Sequence, residues 1–158
     1  MNRESRTDAG AALTGLILDL FALSNRLLAA GDRLVADLGL TSARWQVLGT
    51  ILSRDAPQPV AWLARDMGAN RQNIQRIVND LAAEGMVDFR PNPHHRRAQL
   101  VVITAKGRSV FDAAMQLQAP WINRLSQGLT APELKKAHQI ILALQAALLG
   151  EDDVSGLP

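Results

Sequence analysis

The sequence predicts a mainly α-helical fold that carries one small β-hairpin. Two observations predict this fold class. Apolar residues recur at helical spacing along most of the chain, and near residue 86 they give way to two short runs typical of strands, MVDFR and AQLVVI. A chain of 158 residues that is 47% hydrophobic can form one domain with helical extensions.

Charge and cysteine content narrow the possible functions. This sequence has no cysteine, which excludes disulfides, thiolate metal sites and thiol-based redox sensing within it. The net charge is only +2, yet residues 70–108 hold seven Lys or Arg against three Asp or Glu. A basic segment of this kind is typical of a module that faces a polyanion.

The location of the protein is expected to be cytoplasmic, without a membrane partner. The opening residues, MNRESRTDAG, do not resemble a signal peptide. No run approaches the roughly 18 unbroken apolar residues that a membrane span needs.

Two helices are predicted in the first third of the chain. Apolar residues at helical spacing predict a long helix from about Ala12 to Leu38, which Gly31 is expected to bend or interrupt. Thr41 is expected to cap a second helix, ARWQVLGTIL, because its hydroxyl can accept from a free first-turn N–H. The segment DAPQP is expected to end this helix as a loop. The side chains expected to point inward from the second helix are Trp45, Leu48, Ile51 and Leu52.

A short helix, a tight turn and a second helix follow. The short helix is predicted over Val60 to Met67, and Asn70 is expected to cap a helix that Gly85 closes. The unburied face of that second helix carries amide and guanidinium side chains and no carboxylate before Asp80: Arg71, Gln72, Asn73, Gln75, Arg76 and Asn79. Arg, Asn and Gln can form paired hydrogen bonds with base edges in a major groove, whereas a solvated face is usually richer in Glu and Lys. The pattern predicts a DNA-binding helix-turn-helix, with Asn70 among the DNA-contacting residues.

The hairpin tip, PNPHHRR, carries four nitrogen-rich side chains. A hairpin directly after a recognition helix is a wing, so His95, Arg96 and Arg97 are expected beside the DNA, the arginines in a narrow minor groove. His94 and His95 can gain charge in mild acid, which would strengthen phosphate binding. A metal site is disfavoured, because adjacent histidines do not readily chelate one ion and the tip has no carboxylate or thiol.

Two further helices are predicted after the hairpin. Thr104 is expected to cap the first, and Pro120 is expected to kink it or to end it early. The segment TAPE is a capping box that opens the last helix. That helix has an apolar seam at alternating three- and four-residue spacing, namely Leu134, Ala137, Ile141, Leu144 and Leu148. Such a seam either covers the chain's own core or packs on a second copy.

The central half of the chain resembles the MarR family of winged helix-turn-helix transcriptional regulators. The matching stretches are LTSARWQVL (40–48), LARDMGANRQNIQRIVNDLAAEGMVDFRPNP (63–93) and HHRRAQLVVITAKG (94–107). The family's wing pattern is Asp-x-Arg, then a strand, then Leu-Thr-x-x-Gly. In this chain His95 stands in place of the aspartate and Arg97 matches the wing arginine. The pattern ends here as Ile103-Thr104-Ala105-Lys106-Gly107. The tip is therefore more positive than is usual in the family.

The resemblance implies a homodimer that binds a near-palindromic operator on double-stranded DNA. It implies three regions: 1–40, an N-terminal dimerisation helix; 41–107, the DNA-binding domain; and 108–158, the C-terminal dimerisation helices. The interface expected on this basis includes Leu13, Leu16 and Leu20 together with the seam of the last helix. Many members bind small aromatic or phenolic ligands, for which the candidate residues here are Arg26, Arg44, Trp45 and Trp121. A repressor released by such a ligand is the expected function.

Other classes of function receive less support. No enzyme, cofactor or metal is expected, since the three histidines have no acid at a triad-like spacing and no Gly-rich phosphate loop occurs. A winged-helix module that binds a protein or RNA partner is the main alternative. Steep salt dependence would favour DNA. Repression and activation differ only in where the operator lies relative to the promoter.

Overall fold

Helices account for most of the described chain, as the sequence predicts. The computed structural model describes residues 5–155, with side chains up to residue 150, so the first four residues of the N-terminus discussed above lie outside it. The helices are α1 (Asp8–Val35), α2 (Ser42–Leu52), α3 (Val60–Asp66), α4 (Arg71–Ala83), α5 (Ala105–Leu125) and α6 (Ala131–Ser155). The strands are β1 (Gln58–Pro59), β2 (Val87–Arg90) and β3 (Leu100–Ile103), and a single 3-10 turn, Ala36–Leu38, follows α1.

The joint between α1 and α2 corrects the expectation for Gly31. The helix α1 runs through Gly31 without interruption, and this glycine is buried where α1 approaches α2. The hydroxyl of Ser42 donates to the Leu28 carbonyl (2.6 Å), and the Ser42 N–H donates to Asp32 Oδ1 (2.6 Å). A Cβ at Gly31 would overlap the Ser42 hydroxyl. The glycine therefore permits close packing here.

The helix α2 begins as predicted and packs slightly differently. Thr41 Oγ1 accepts from the Arg44 N–H (3.3 Å), which confirms the cap. Leu48 is fully buried, but so is Val47, which the sequence analysis did not select. Trp45, Ile51 and Leu52 are half-buried.

The α3–turn–α4 unit has the geometry of a helix-turn-helix. Gly68 takes a left-handed φ of 58° in the turn, a conformation that glycine adopts without strain. Asn70 Oδ1 accepts from the N–H groups of Gln72 (2.8 Å) and Asn73 (3.3 Å), which confirms the predicted cap. Gly85 closes α4 at a φ of 72°, also as predicted. The two helices contribute Leu63, Ala64, Ile74, Ile77, Val78 and Leu81 to the core.

A three-stranded antiparallel sheet follows, in the order β1-β3-β2. The predicted hairpin forms, with Val87 opposite Ile103 and Arg90 opposite Leu100. The segment DAPQP was expected to be a loop throughout, and this is wrong for its last two residues. Gln58 and Pro59 pair with Val101 and Leu100 as the edge strand β1, where a proline does not remove a needed donor.

The entry to α5 is tied to the end of α4. Thr104 Oγ1 accepts from the Gly107 N–H (3.0 Å), as predicted for a cap, and also donates to the Gly85 carbonyl (2.7 Å). Gly107 is buried against the Met86 carbonyl, where a Cβ would clash with backbone. The alternative that Pro120 ends the helix early is wrong, since α5 continues to Leu125.

The described chain forms two compact units, divided after Gln118. The first holds the core, which extends from Val35 at the end of α1 to Ala114 in α5. The second holds the end of α5 and all of α6. There the predicted capping box is confirmed: the Thr130 N–H donates to Glu133 Oε2 (2.8 Å), and the Glu133 N–H donates to Thr130 Oγ1 (3.4 Å). The Thr130 hydroxyl also donates to Glu133 Oε2 (2.7 Å), and this bond, followed by the one from the Thr130 N–H, lowers the pKa of Glu133 below its ordinary value.

The helix α1 bears on the expectation that no membrane span exists. By length and composition alone, Asp8–Leu38 could cross a bilayer. Its most apolar stretch has a mean hydropathy of 1.4 and is not buried in this chain. A helix that packs on a partner passes the same test. Composition alone therefore does not decide what covers the apolar surface of α1.

Candidate nucleic-acid interface

The helix α4 turns a uniformly polar surface outward. Its apolar residues, including Ile74, Ile77, Val78 and Leu81, are buried. The other side, called here the polar face of α4, consists of Arg71, Gln72, Asn73, Gln75, Arg76 and Asn79. All six are exposed except Gln75, which is half-buried. Core packing on one side therefore determines which side chains face solvent.

Two side-chain hydrogen bonds order the polar face of α4. Gln75 Nε2 donates to Asn79 Oδ1 (3.0 Å), one helical turn apart. Arg76 Nη2 donates to Asn73 Oδ1 (3.0 Å). Both bonds leave further donors on the amide and guanidinium groups, which are the groups that pair with guanine and adenine edges.

The polar face and the wing meet at one cleft. The cleft has a volume of about 180 Å³ and is bordered by Arg71, Gln75 and Asn79 from α4 and by Arg97 from the hairpin loop. Pro59, Val60 and Ala61 border its other side. No carboxylate lines it. The structure thus brings together the helix and the wing arginine that the sequence analysis assigned to one surface.

The wing is the loop 91–99 between β2 and β3. Its turn is held by the His94 N–H donating to Asn92 Oδ1 (3.0 Å) and by the Ala98 N–H donating to the His95 carbonyl (3.0 Å). The side chains of His95, Arg96 and Arg97 are exposed. Among the described residues, neither arginine forms an ion pair with a carboxylate. Their charge is therefore available to an external anion.

The two carboxylates at the C-terminal end of α4, Asp80 and Glu84, are paired with an arginine. The guanidinium of Arg44, on α2, lies 2.6 Å from Glu84 Oε1 and 3.8 Å from Asp80 Oδ2. Lys106 Nζ donates to the Glu84 carbonyl (2.7 Å). The contact between Arg44 and Glu84 could not be predicted, because no local pattern indicates that Arg44 reaches a residue 40 positions later.

The four ligand-binding candidates have different surroundings. Trp45 borders an apolar cleft of about 250 Å³ with Gln46, Gly49, Phe111, Met115 and Gln118. Arg44 points instead to Glu84, and Arg26 is exposed on α1. Trp121 belongs to the second unit, where it is half-buried. Phe111 and Met115 are apolar neighbours that the sequence analysis did not select.

Exposed apolar side chains continue along the terminal helices. On α1, Leu13 and Leu20 are half-buried and Leu16 is exposed. The most exposed large apolar side chains of this helix are Phe21 (66%) and Leu18 (65%). On α6, Leu134, Ala137, Ile141 and Leu148 are exposed and Leu144 is half-buried. The exposed apolar surface is therefore broader than the predicted seam.

Metal ligands are not clustered in the described part of the chain. Among the side chains described, residues 5–150, His, Asp and Glu form no group of three that could hold an ion. His94 and His95 are therefore considered only for their contribution to the charge of the wing.

Comparison with known proteins agrees with this architecture. A family model described as MarR family matches residues 38–98. An uncharacterized Mycobacterium tuberculosis protein, Rv2011c, is 35% identical over 86% of this chain and 94% of its own length. The Escherichia coli multiple antibiotic resistance protein MarR is 31% identical over 65% of this chain and 74% of its own length. The transcriptional activatory protein BadR of Rhodopseudomonas palustris is 35% identical over 64% and 59%, respectively.

Solved structures show the same fold. The transcriptional regulator PA3341 matches with a TM-score of 0.73 at 26% identity, covering 85% of this chain and 98% of that one. A mutant E. coli MarR complexed with operator DNA matches at a TM-score of 0.68 and 25% identity, with coverages of 84% and 97%. CouR from Rhodococcus jostii, bound to p-coumaroyl-CoA, matches in fold at a TM-score of 0.71 and 21% identity, with coverages of 79% and 87%.

The helix-turn-helix, the wing and these similarities have a single explanation. The chain belongs to the MarR family of transcriptional regulators.

Proposed function

We propose that this protein binds double-stranded DNA sequence-specifically, with α4 in the major groove and the wing beside it. The observation that carries the proposal is the cleft that Arg71, Gln75, Asn79 and Arg97 share without a carboxylate. Such a surface attracts phosphates and can form hydrogen bonds with base edges. The match to a MarR structure that contains operator DNA supports the same role.

Different side chains contribute to overall affinity and to sequence selection. Asn70 Oδ1 already accepts from the backbone N–H groups of Gln72 and Asn73 at the start of α4, so side chains, and not these backbone amides, are available to the DNA. Gln72, Asn73 and Arg76 have the donors and acceptors for base edges. Arg97, and with it Arg96 and His95, supplies positive charge to the backbone or minor groove.

The functional unit is a homodimer built from α1 and α6. Phe21 and Leu18 on α1, and Leu134, Ile141 and Leu148 on α6, are large apolar side chains left in solvent by a single chain. On each helix taken by itself, several large apolar side chains in water are typical of a surface that packs on a partner. A second copy covers it without a membrane, which is consistent with a cytoplasmic regulator. Two-fold symmetry then sets the recognition helices about 34 Å apart, one duplex turn, on a palindromic operator.

Regulation comes from a small aromatic or phenolic ligand. The cleft bordered by Trp45, Phe111 and Met115 offers aromatic and apolar surface of suitable chemistry. The fold match to CouR, whose structure holds p-coumaroyl-CoA, supports an aromatic effector. Ligand binding would favour dimers whose helix spacing no longer suits the operator, with a coupling of about 1–3 kcal/mol. Where the operator overlaps a promoter, the unliganded dimer acts as a repressor.

A binding selection on random duplexes tests the proposal directly. The full-length protein should enrich a near-palindrome whose half-sites are centred about one helical turn apart. Affinity for it should fall steeply as salt rises, because several phosphates are neutralised. Repeating the selection with a panel of aromatic acids tests the effector. Absence of any enriched motif, or affinity insensitive to salt, would contradict DNA recognition.

A further inference from the structure

An aromatic side chain on the outer face of α3 is not explained by the fold. Trp62 is 52% exposed, although tryptophan is costly to leave in water. The Arg65 guanidinium lies 5.4 Å from the centroid of the Trp62 ring, within range of a cation–π interaction. The two residues are one helical turn apart on α3 and form what is called here the Trp62–Arg65 pair.

The charge of Arg65 is not compensated. Arg65 is exposed and forms no ion pair with any described carboxylate. The neighbouring Asp66 is already paired with Arg54, at 2.6 Å. This part of α3 therefore presents a positive charge beside an apolar ring.

The pair lies next to the candidate DNA interface. Ala61 borders the cleft that also contains Arg71 and Arg97. Arg65 follows Ala61 by one helical turn, so it lies on the same side of α3. In a helix-turn-helix the first helix crosses the sugar-phosphate backbone while the second enters the major groove. With α4 in the major groove, Arg65 would therefore lie on the side of α3 that meets the backbone.

We propose that the Trp62–Arg65 pair is an additional DNA-backbone contact, in which Arg65 binds a phosphate and Trp62 positions it. This proposal rests on the DNA-binding function proposed above. Stacking on the ring restricts the long arginine side chain before DNA arrives, so less conformational entropy is lost when the phosphate binds. The planar guanidinium can then donate two hydrogen bonds to one phosphate.

The test uses the selected operator and neutralises its phosphates one at a time with methylphosphonate groups. The variants are Arg65→Ala, Trp62→Ala, Trp62→Phe and the double variant. Arg108→Ala is the matched control, because Arg108 is also exposed but borders a different cleft, with Arg54 and Asp55. Each arginine variant removes the same charge from the full-length protein.

Arg65→Ala is expected to weaken binding about fivefold at moderate salt and to lower the salt slope by about one per subunit. It should also become insensitive to neutralisation of one particular phosphate per half-site, at which wild type and Arg108→Ala remain sensitive. Trp62→Ala should reproduce part of this loss and Trp62→Phe should retain most of the affinity. The double variant should bind no more weakly than Arg65→Ala.

Two results would overturn the proposal. If Arg65→Ala keeps the wild-type affinity and its dependence on every phosphate, the pair does not face DNA, and the exposed Trp62 is left for a protein partner. If Trp62→Ala and Arg65→Ala lose affinity additively, Trp62 does not act through Arg65. A wild-type protein that binds no duplex would refute the DNA-binding function itself, an outcome that is seen before any variant is made.

Discussion

The Arg44 guanidinium lies 2.6 Å from the Glu84 carboxylate and so joins α2 to the C-terminal end of α4. Arg44 also donates to the Gly39 carbonyl (3.4 Å), at the end of the segment that follows α1. One side chain therefore links three parts of the first unit. It holds the end of α4 that is opposite the N-terminus proposed to contact DNA.

The first prediction is that Arg44→Ala lowers both stability and operator affinity. The pair is partly exposed, so its loss should cost about 0.5–1 kcal/mol in the free energy of unfolding. Because α4 is then less firmly held, operator binding should weaken while base preference is unchanged. Urea unfolding and titration of the selected operator measure the two effects. Unchanged stability together with loss of an aromatic ligand would instead support the ligand role that the family resemblance implies.

The second prediction separates the two wing arginines. Arg97 borders the cleft with Arg71, whereas Arg96 is not among the residues that line it. Arg97→Ala should therefore weaken binding to most DNA sequences by about tenfold, within the range for a charge-assisted contact. Arg96→Ala, which makes the same charge change, should have the smaller effect. Equal losses would show that only the net charge of the wing matters.

The third prediction concerns base preference. Gln72→Ala should relax selection at one position per half-site, removing about 1–3 kcal/mol of discrimination. Asn73→Ala should affect a second position as well, since Asn73 Oδ1 accepts a hydrogen bond from Arg76 Nη2 (3.0 Å) and so orients this arginine. Repeating the binding selection with each variant reveals the altered positions. A variant that loses affinity uniformly, with an unchanged motif, would contradict a base contact.

The fourth prediction is that Phe21→Glu disrupts the dimer. A carboxylate in place of this exposed ring would be desolvated on association, which is costly. The variant should be monomeric, and its operator affinity should drop because two half-sites are no longer bound together. Light scattering in detergent-free buffer measures the mass of both proteins. Wild type that is monomeric, or soluble only in detergent, would refute the assignment of this surface to a second copy.

The fifth prediction is a pH dependence confined to the start of α6. The pKa of Glu133 is lowered by its hydrogen bonds with Thr130, so the ionised form stabilises the folded helix end. This contribution is fully present above the ordinary pKa of glutamate and is lost as pH falls through the lowered value. Carboxyl-carbon NMR shifts of Glu133 should therefore titrate at lower pH than those of an unpaired glutamate. Thr130→Val should return the titration towards the ordinary value, and an unchanged titration would contradict the capping box.

Local chemistry accounts for the features that the sequence analysis predicted correctly. Thr41, Asn70 and Thr130 are caps whose partners lie within three residues, so a short stretch of sequence suffices to identify them. The buried stripe of α4 follows from helical periodicity. The polar face of α4 then follows, because it is what remains when the apolar side is packed.

The features that the sequence did not reveal depend on partners distant in the chain or on the exposure of a single side chain. The strand β1 consists of only two residues and exists because Gln58 pairs with Val101. Arg44 was a ligand candidate on the family resemblance, and its contact with Glu84, 40 positions later, has no local signal in the sequence. Trp62 was not selected, since neither its exposure nor its contact with Arg65 is visible in a pattern of apolar residues.

The close approach at Gly31 has a consequence for the proposed dimer. Because it has no side chain, the Ser42 hydroxyl reaches the backbone of α1 directly, and no flexible group separates the two helices. Side chains between two helices can absorb a small tilt, and here that buffer is missing. In the proposed dimer, the separation of the two α4 helices is therefore expected to be sensitive to substitution at Gly31, a residue outside the proposed DNA interface.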